Sequence, residues 1–291
     1  MTMLTMLESH DKDLGGGFMV RRVLPSAARQ AVGPFVFFDH FGPLEIGPDA
    51  DHDVRPHPHI GLATVTYLYE GETEHRDSVG SVQRITPGAL NWMTSGRGIV
   101  HSERTPFELK GKARRSHGLQ LWAALPVDDE ETAPSFASTP ASAIPMVRFD
   151  GGEARILIGS AFGKTSPVET FSETYYVDIK LDGGNAMVID HLPEEAAIYP
   201  VLGRLEVNGQ ALEQHTMAYL GNAASVRVSA GVDARFVVIG GAPLDGHHHM
   251  FWNFVSSSRD RIAVACKDWE QQRFDPIDGE TEWTPLPRPF L

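Results

Sequence analysis

A chain of 291 residues, 42% hydrophobic and 22% charged, has the composition of a globular protein with a substantial core, and its length fits two average domains or one large all-β domain. Its net charge of −13 has the same sign as nucleic acid and anionic lipid, which opposes non-specific binding to either. Cys266 is the only cysteine, so no intramolecular disulfide can form and a reducing, cytoplasmic setting is expected.

The opening MTMLTMLESHDKD has no basic region ahead of a long apolar run, so a signal peptide is not expected. No stretch reaches the roughly 18–20 apolar residues of a membrane span. Short alternating runs rich in Val, Ile, Tyr, Phe and Thr then follow one another between Gly, Pro, Asn and Asp: GPFVFFDHFGP, ATVTYLYEGE and GLQLWAALP in the first half. The second half continues with TYYVDIKLDGG, NAMVIDHL, AAIYPVLGRLEVNG, SVRVSAG and ARFVVIGGAP. Strands of this length and spacing predict an all-β protein of antiparallel sandwich or barrel type. Between the halves, DDEETAPSFASTPASAIPMVRFD is poor in large apolar residues and reads as an extended linker. The expected division is 1–130, a linker over 131–150, 151–245, and a final segment over 246–291.

The halves resemble each other. YLYEGETEHRD is echoed by YPVLGRLEVNG, ITPGALNWM by LEQHTMAYLG, and SHGLQLWAALP by DARFVVIGGAPL, as expected of one β-barrel unit repeated. Near the end, SSSRDRIAVACKDWEQQRF places Ile262, Cys266 and Trp269 at helical spacing, predicting one amphipathic helix. Ser257 and Asp260 have the form of a capping box. The closing TPLPRPFL holds too much proline to continue that helix.

The chemistry concentrates in two short stretches. In VRPHPHIGLATVTYLYEG, His57 and His59 stand one residue apart at the start of a strand, so both side chains leave the same face. Pro56 and Pro58 stiffen the segment and lower the entropy of presenting ligands. Downstream, GRGIVHSERTP repeats the device with His101 and Glu103. Two neighbouring strands would offer three imidazoles and one carboxylate to one centre, a set suited to a divalent transition metal: iron, nickel, copper, zinc, manganese or cobalt. A polar His/Glu cluster at a barrel rim is the competing reading.

The same stretches carry a family resemblance. FFDHFGP, HPHIGLATVTYLYEGE, HRDSVG, PGALNWMTSGRGIVHSE and HGLQLW, in this order, resemble the pirin family of bicupins. The resemblance implies two tandem cupin barrels of jelly-roll type, with a metal, usually Fe(II), in the N-terminal one only. Carried over residue by residue, its ligands fall on His57, His59, His101 and Glu103. Many members also have a glutamate four residues after the second histidine; here that residue is Ala63, so a second carboxylate near the site is missing.

Two activities follow from the resemblance. One is metal-dependent quercetin 2,3-dioxygenase activity on a flavonoid-like small molecule and O2, with Glu103 as proton acceptor. The other is regulatory: an iron-dependent, redox-sensitive protein engaging a transcription factor or a metabolic enzyme. The acidic charge favours a protein partner over direct nucleic-acid contact, and no membrane partner is expected. Phe38, Phe41, Trp92, Met93 and Trp122 either line a cavity for a flat phenolic ligand or fill the barrel core. His75, Asp77 and His117 are read as hydrogen-bonding supports. His191 and His215 stand singly in the second half. In His247, His248 and His249, alternation lets at most two side chains converge if the segment is extended.

Overall fold

A computed structural model describes residues 4–14, 17–50, 52–287 and 290. The chain is mostly β, with one α-helix at Arg259–Glu270. No helix among the described residues is long and apolar enough to cross a membrane. Two compact units form, each drawing on separate stretches of chain: one from Asp13–Val20, Phe41–Ser138 and Leu244–Leu291, the other from Met1–Lys12, Arg21–His40 and Thr139–Pro243.

The first unit is a cupin barrel of two sheets. Its smaller sheet runs Val54–His59, Ile99–Arg104, Thr73–Asp77, Val82–Ile85. Its larger sheet runs Ser135–Thr139, Leu90–Thr94, Leu62–Glu70, Arg114–Ala124 and on into the Phe35–Ile46 strand. Alternation within the larger sheet is regular. Trp122 lies opposite Thr64, and Thr64 opposite Met93; Gln120 lies opposite Thr66, and Thr66 opposite Asn91. Directly paired residues share a face, so these six side chains form two successive cross-strand rows on one side of the sheet.

The second unit repeats the plan. Asn185–Asp190, Ser225–Ala230, Leu205–Val207 and Gln210–Leu212 follow one another in its small sheet, the order of the first. Glu195–Leu202 lies between Thr216–Gly221 and Ala234–Gly241 in the large one, as Leu62–Glu70 lies between Leu90–Thr94 and Arg114–Ala124. Val177, Ile179, Val226, Val228, Phe236 and Val238 are buried in its interior. The echoes between the two halves of the sequence therefore correspond to equivalent strands.

Within 131–150, the expected linker, two short strands form. Ser135–Thr139 neighbours Leu90–Thr94, and Met146–Phe149 pairs with Gly152–Ile158. A β ladder needs only extended backbone, which these residues can adopt even though they bury little apolar surface. The helix buries Ile262, Ala265, Cys266 and Trp269 with Ile60, Val100, Phe254 and Ile277. Its N-cap is Ser258, whose hydroxyl accepts from the Arg261 amide, one residue beyond the predicted Ser257. The Ser257 amide and hydroxyl instead donate to the Glu130 carboxylate, which leaves the capping role to its neighbour.

Candidate metal centre

His57 and His59 stand on the edge strand of the smaller sheet, and His101 on the next strand, directly opposite His57. All three are buried, and one nitrogen from each lies within 4.8 Å of the others. The backbone fixes which nitrogen each ring presents. The Nδ1–H of His57 donates to the Arg55 carbonyl at 2.9 Å, and that of His59 to the Asn253 carbonyl at 3.1 Å. A carbonyl can only accept, so both rings carry their proton on Nδ1 and turn a bare Nε2 to the centre.

For His101 the same result comes through a relay. The Asp77 carboxylate lies 2.8 Å from His75 Nε2, whose N–H donates to it, and in that tautomer His75 Nδ1 is an acceptor. His101 Nδ1 lies 3.4 Å from that atom and donates to it, leaving Nε2 bare. His59 Nε2 and His101 Nε2 thus face each other at 3.1 Å with two lone pairs between them. Two acceptors at that distance repel unless a cation sits between them, so the donor set fits a metal.

Electrostatics agree. Burial pushes His57 down to about 4, opposed in part by its hydrogen bond to Arg55. Burial, with the neighbouring imidazoles, holds His59 and His101 well below the ordinary histidine range. The rings are therefore neutral near pH 7, the state in which imidazole binds a metal. Burial opposes ionisation of Asp77, but hydrogen bonds from His75 and Ser81 outweigh it and bring its carboxyl below the usual range.

Glu103 stands two residues beyond His101, opposite His75 on one side and Val54 on the other. The register against the Val54–His59 strand shifts between His101 and Glu103, an irregularity of the kind that re-aims side chains beside active sites. Glu103 is half-buried, and its carboxylate is not among the clustered donor atoms. Burial raises its carboxyl above the ordinary range, against a smaller opposite pull from His75.

A family profile described as Pirin matches residues 17–123, and one described as the Pirin C-terminal cupin domain matches residues 176–275. The chain belongs to the pirin family. A pirin-like protein of Caulobacter vibrioides is 44% identical over 287 residues, which cover 97% of this chain and 98% of that one. Human pirin is 33% identical over 274 residues, 91% of each chain. Among solved structures, a quercetin 2,3-dioxygenase from Acinetobacter baumannii matches with a TM-score of 0.91 at 32% identity, over 99% of this chain and 95% of that one.

Of the residues singled out in this pirin's sequence, the structure brings His57, His59 and His101 together and leaves Glu103 beside them. Trp122 joins the site: its ring lies 5.1 Å from that of His59. Met93 lies in the same cross-strand row as Trp122. Phe41 packs on this face as well, where a Cβ on Gly118 would meet its ring at 2.5 Å. Trp92 alternates to the opposite face. Phe38 belongs, with Tyr199, to the other unit, where the two rings pack on each other. His191 is exposed with a φ of 57°. His215 packs near His40 and Tyr199. The His247 and His249 rings approach to 4.4 Å, while His248 turns to the Leu125 carbonyl and Glu130. Sequence reasoning missed Asn253, whose carbonyl orients His59. Its contribution is a main-chain oxygen, which any residue type supplies, so no local signal marks it.

Proposed function

We propose that this pirin is a metal-dependent dioxygenase of flavonols, with His57, His59 and His101 holding Fe(II) and Glu103 as the fourth donor. The observation that carries this reading is the convergence of three bare Nε2 atoms beside a sheet face bearing Trp122. The likeness to the Acinetobacter baumannii quercetin 2,3-dioxygenase supports it. When bound, the metal would supply Lewis acidity and a route for dioxygen into the activated ring, which opens with release of carbon monoxide.

The protein's own residues do the rest. Backbone carbonyls and the Asp77–His75 relay keep the three imidazoles in one tautomer and orientation. Trp122, buried beside His59, gives a flat wall against which an aromatic ring can lie. Glu103 receives the proton of the flavonol 3-hydroxyl.

The test is flavonol consumption and carbon monoxide release by iron-loaded and nickel-loaded protein in air. Turnover is expected, and Glu103→Gln should lower it by about 10²–10⁴-fold, the usual contribution of a general base. Absence of turnover with either metal overturns the dioxygenase reading.

A further inference from the structure

Asn91 is 1% exposed on the Leu90–Thr94 strand, and neither its Nδ2 nor its Oδ1 has a hydrogen-bond partner among the described residues. Buried polar side chains are ordinarily satisfied, and one that is unpaired at both ends needs an explanation. An apolar strand could have placed leucine here without loss. The register shows where the carboxamide points. Asn91 lies opposite Thr66, on the face that carries Trp122, one row further from the metal-binding histidines. Rows on one face are two residues apart, about 7 Å along the strand. Its row companions are already engaged with each other, since the Thr66 hydroxyl donates to Gln120 Oε1 at 2.8 Å. At the next row, the absence of a side chain at Gly118 admits the Phe41 ring, which closes that end with Leu68.

We propose that Asn91 is a specificity residue that binds a phenolic hydroxyl on the part of the substrate remote from the metal-binding histidines; this rests on the flavonol reading above. A carboxamide offers one donor and one acceptor side by side. A hydroxyl, or a pair of adjacent hydroxyls, answers both. The surrounding rows hold Thr64, Met93, Trp122, Thr66 and Gln120, with no cation to pair a carboxylate. The subsite therefore selects neutral, hydroxylated rings over carboxylated ones. Such a site discriminates strongly, because a ligand lacking the hydroxyl leaves the buried amide unpaired.

The experiment compares quercetin with 3-hydroxyflavone, which keeps the 3-hydroxyl and 4-carbonyl but lacks every other hydroxyl. Binding is read without oxygen by quenching of tryptophan fluorescence, in wild type, Asn91→Leu and Asn91→Ala, alongside thermal midpoints. Wild type should bind quercetin about tenfold more tightly or better, the worth of one well-made hydrogen bond to an otherwise unpaired group. Asn91→Leu should bring the two ligands to within about threefold without lowering the midpoint, because it removes an unsatisfied polar group. Equal binding of both flavonols by wild type overturns the subsite and leaves the flavonol reading intact. Loss of folding in both variants likewise overturns it, since the amide would then be structural. If wild type binds neither flavonol, the flavonol reading falls and the subsite falls with it.

Discussion

His101 is held at both ring nitrogens, one facing His59 and the other facing His75, and the second contact decides what the first can do. Were His75 replaced by a residue unable to accept, the His101 ring would be free to carry its proton on Nε2, where it blocks coordination. Phe136 stacks on the His75 ring at 4.2 Å, so an aromatic replacement keeps the packing while deleting the hydrogen bonds. His75→Phe is therefore expected to weaken metal binding by about 10–100-fold, the usual cost of losing a partner that orients a ligand. A competition titration against a chromophoric chelator measures this. Unchanged affinity would show that the relay does not set the His101 tautomer.

At the scale of elements, the centre depends on a segment far along the chain. His59 is oriented by the carbonyl of Asn253, 194 residues away, in the turn between the His249–Phe251 and Phe254–Ser256 strands. That hairpin docks just past the Val54–His59 strand through an amide-to-carbonyl bond from Val255 to Ile60 and a parallel bridge between Ile60 and Phe254. Gly61 makes the approach possible. Its φ is +66°, and a Cβ there would stand 2.0 Å from the Val255 carbonyl oxygen. Gly61→Ala should therefore destabilise the protein by about 1–3 kcal/mol, through backbone strain and displacement of the hairpin. It should also lower metal affinity as the Asn253 carbonyl retreats. Urea unfolding and the chelator titration read the two effects separately, and a variant as stable as wild type would show that the contact is dispensable.

These elements also mark how far the sequence could be read. The convergence of His57, His59 and His101 was legible because ligand-type residues at i, i+2 (His57 with His59, His101 with Glu103) stand out against the alternation of a strand, and because the family motif covers them. The helix face was legible for the same reason of period, though its cap was displaced by one residue when Glu130 claimed Ser257. His75 and Asp77 were legible as hydrogen-bonding supports, but the relay they form was not, since it depends on which strand lies beside Ile99–Arg104. In the sequence, Asn91 is one polar residue in the apolar stretch LNWM. Its lack of a partner is a property of three-dimensional packing, and no local pattern reports it.

Taken as a whole, the molecule is one strand plan used twice with different contents. In the first barrel, the paired strands Val54–His59 and Ile99–Arg104 turn three neutral imidazoles to one point. In the second, the equivalent strands Asn185–Asp190 and Ser225–Ala230 bury Ile189, Val226, Val228 and Ala230, which offer no ligand. No other group of three metal-binding side chains occurs among the described residues. The lone pairs of His59 and His101 that oppose each other at 3.1 Å are an electrostatic cost in the metal-free protein, which a bound cation would turn into binding energy. The most direct measurement is metal content per chain of the purified protein, wild type beside His101→Ala, with X-ray absorption of the metal-loaded wild type. One equivalent of a divalent metal with at least three imidazole nitrogens, lost in the variant, is the expected result. A full equivalent retained by His101→Ala, or wild type that takes up no metal, would contradict the account.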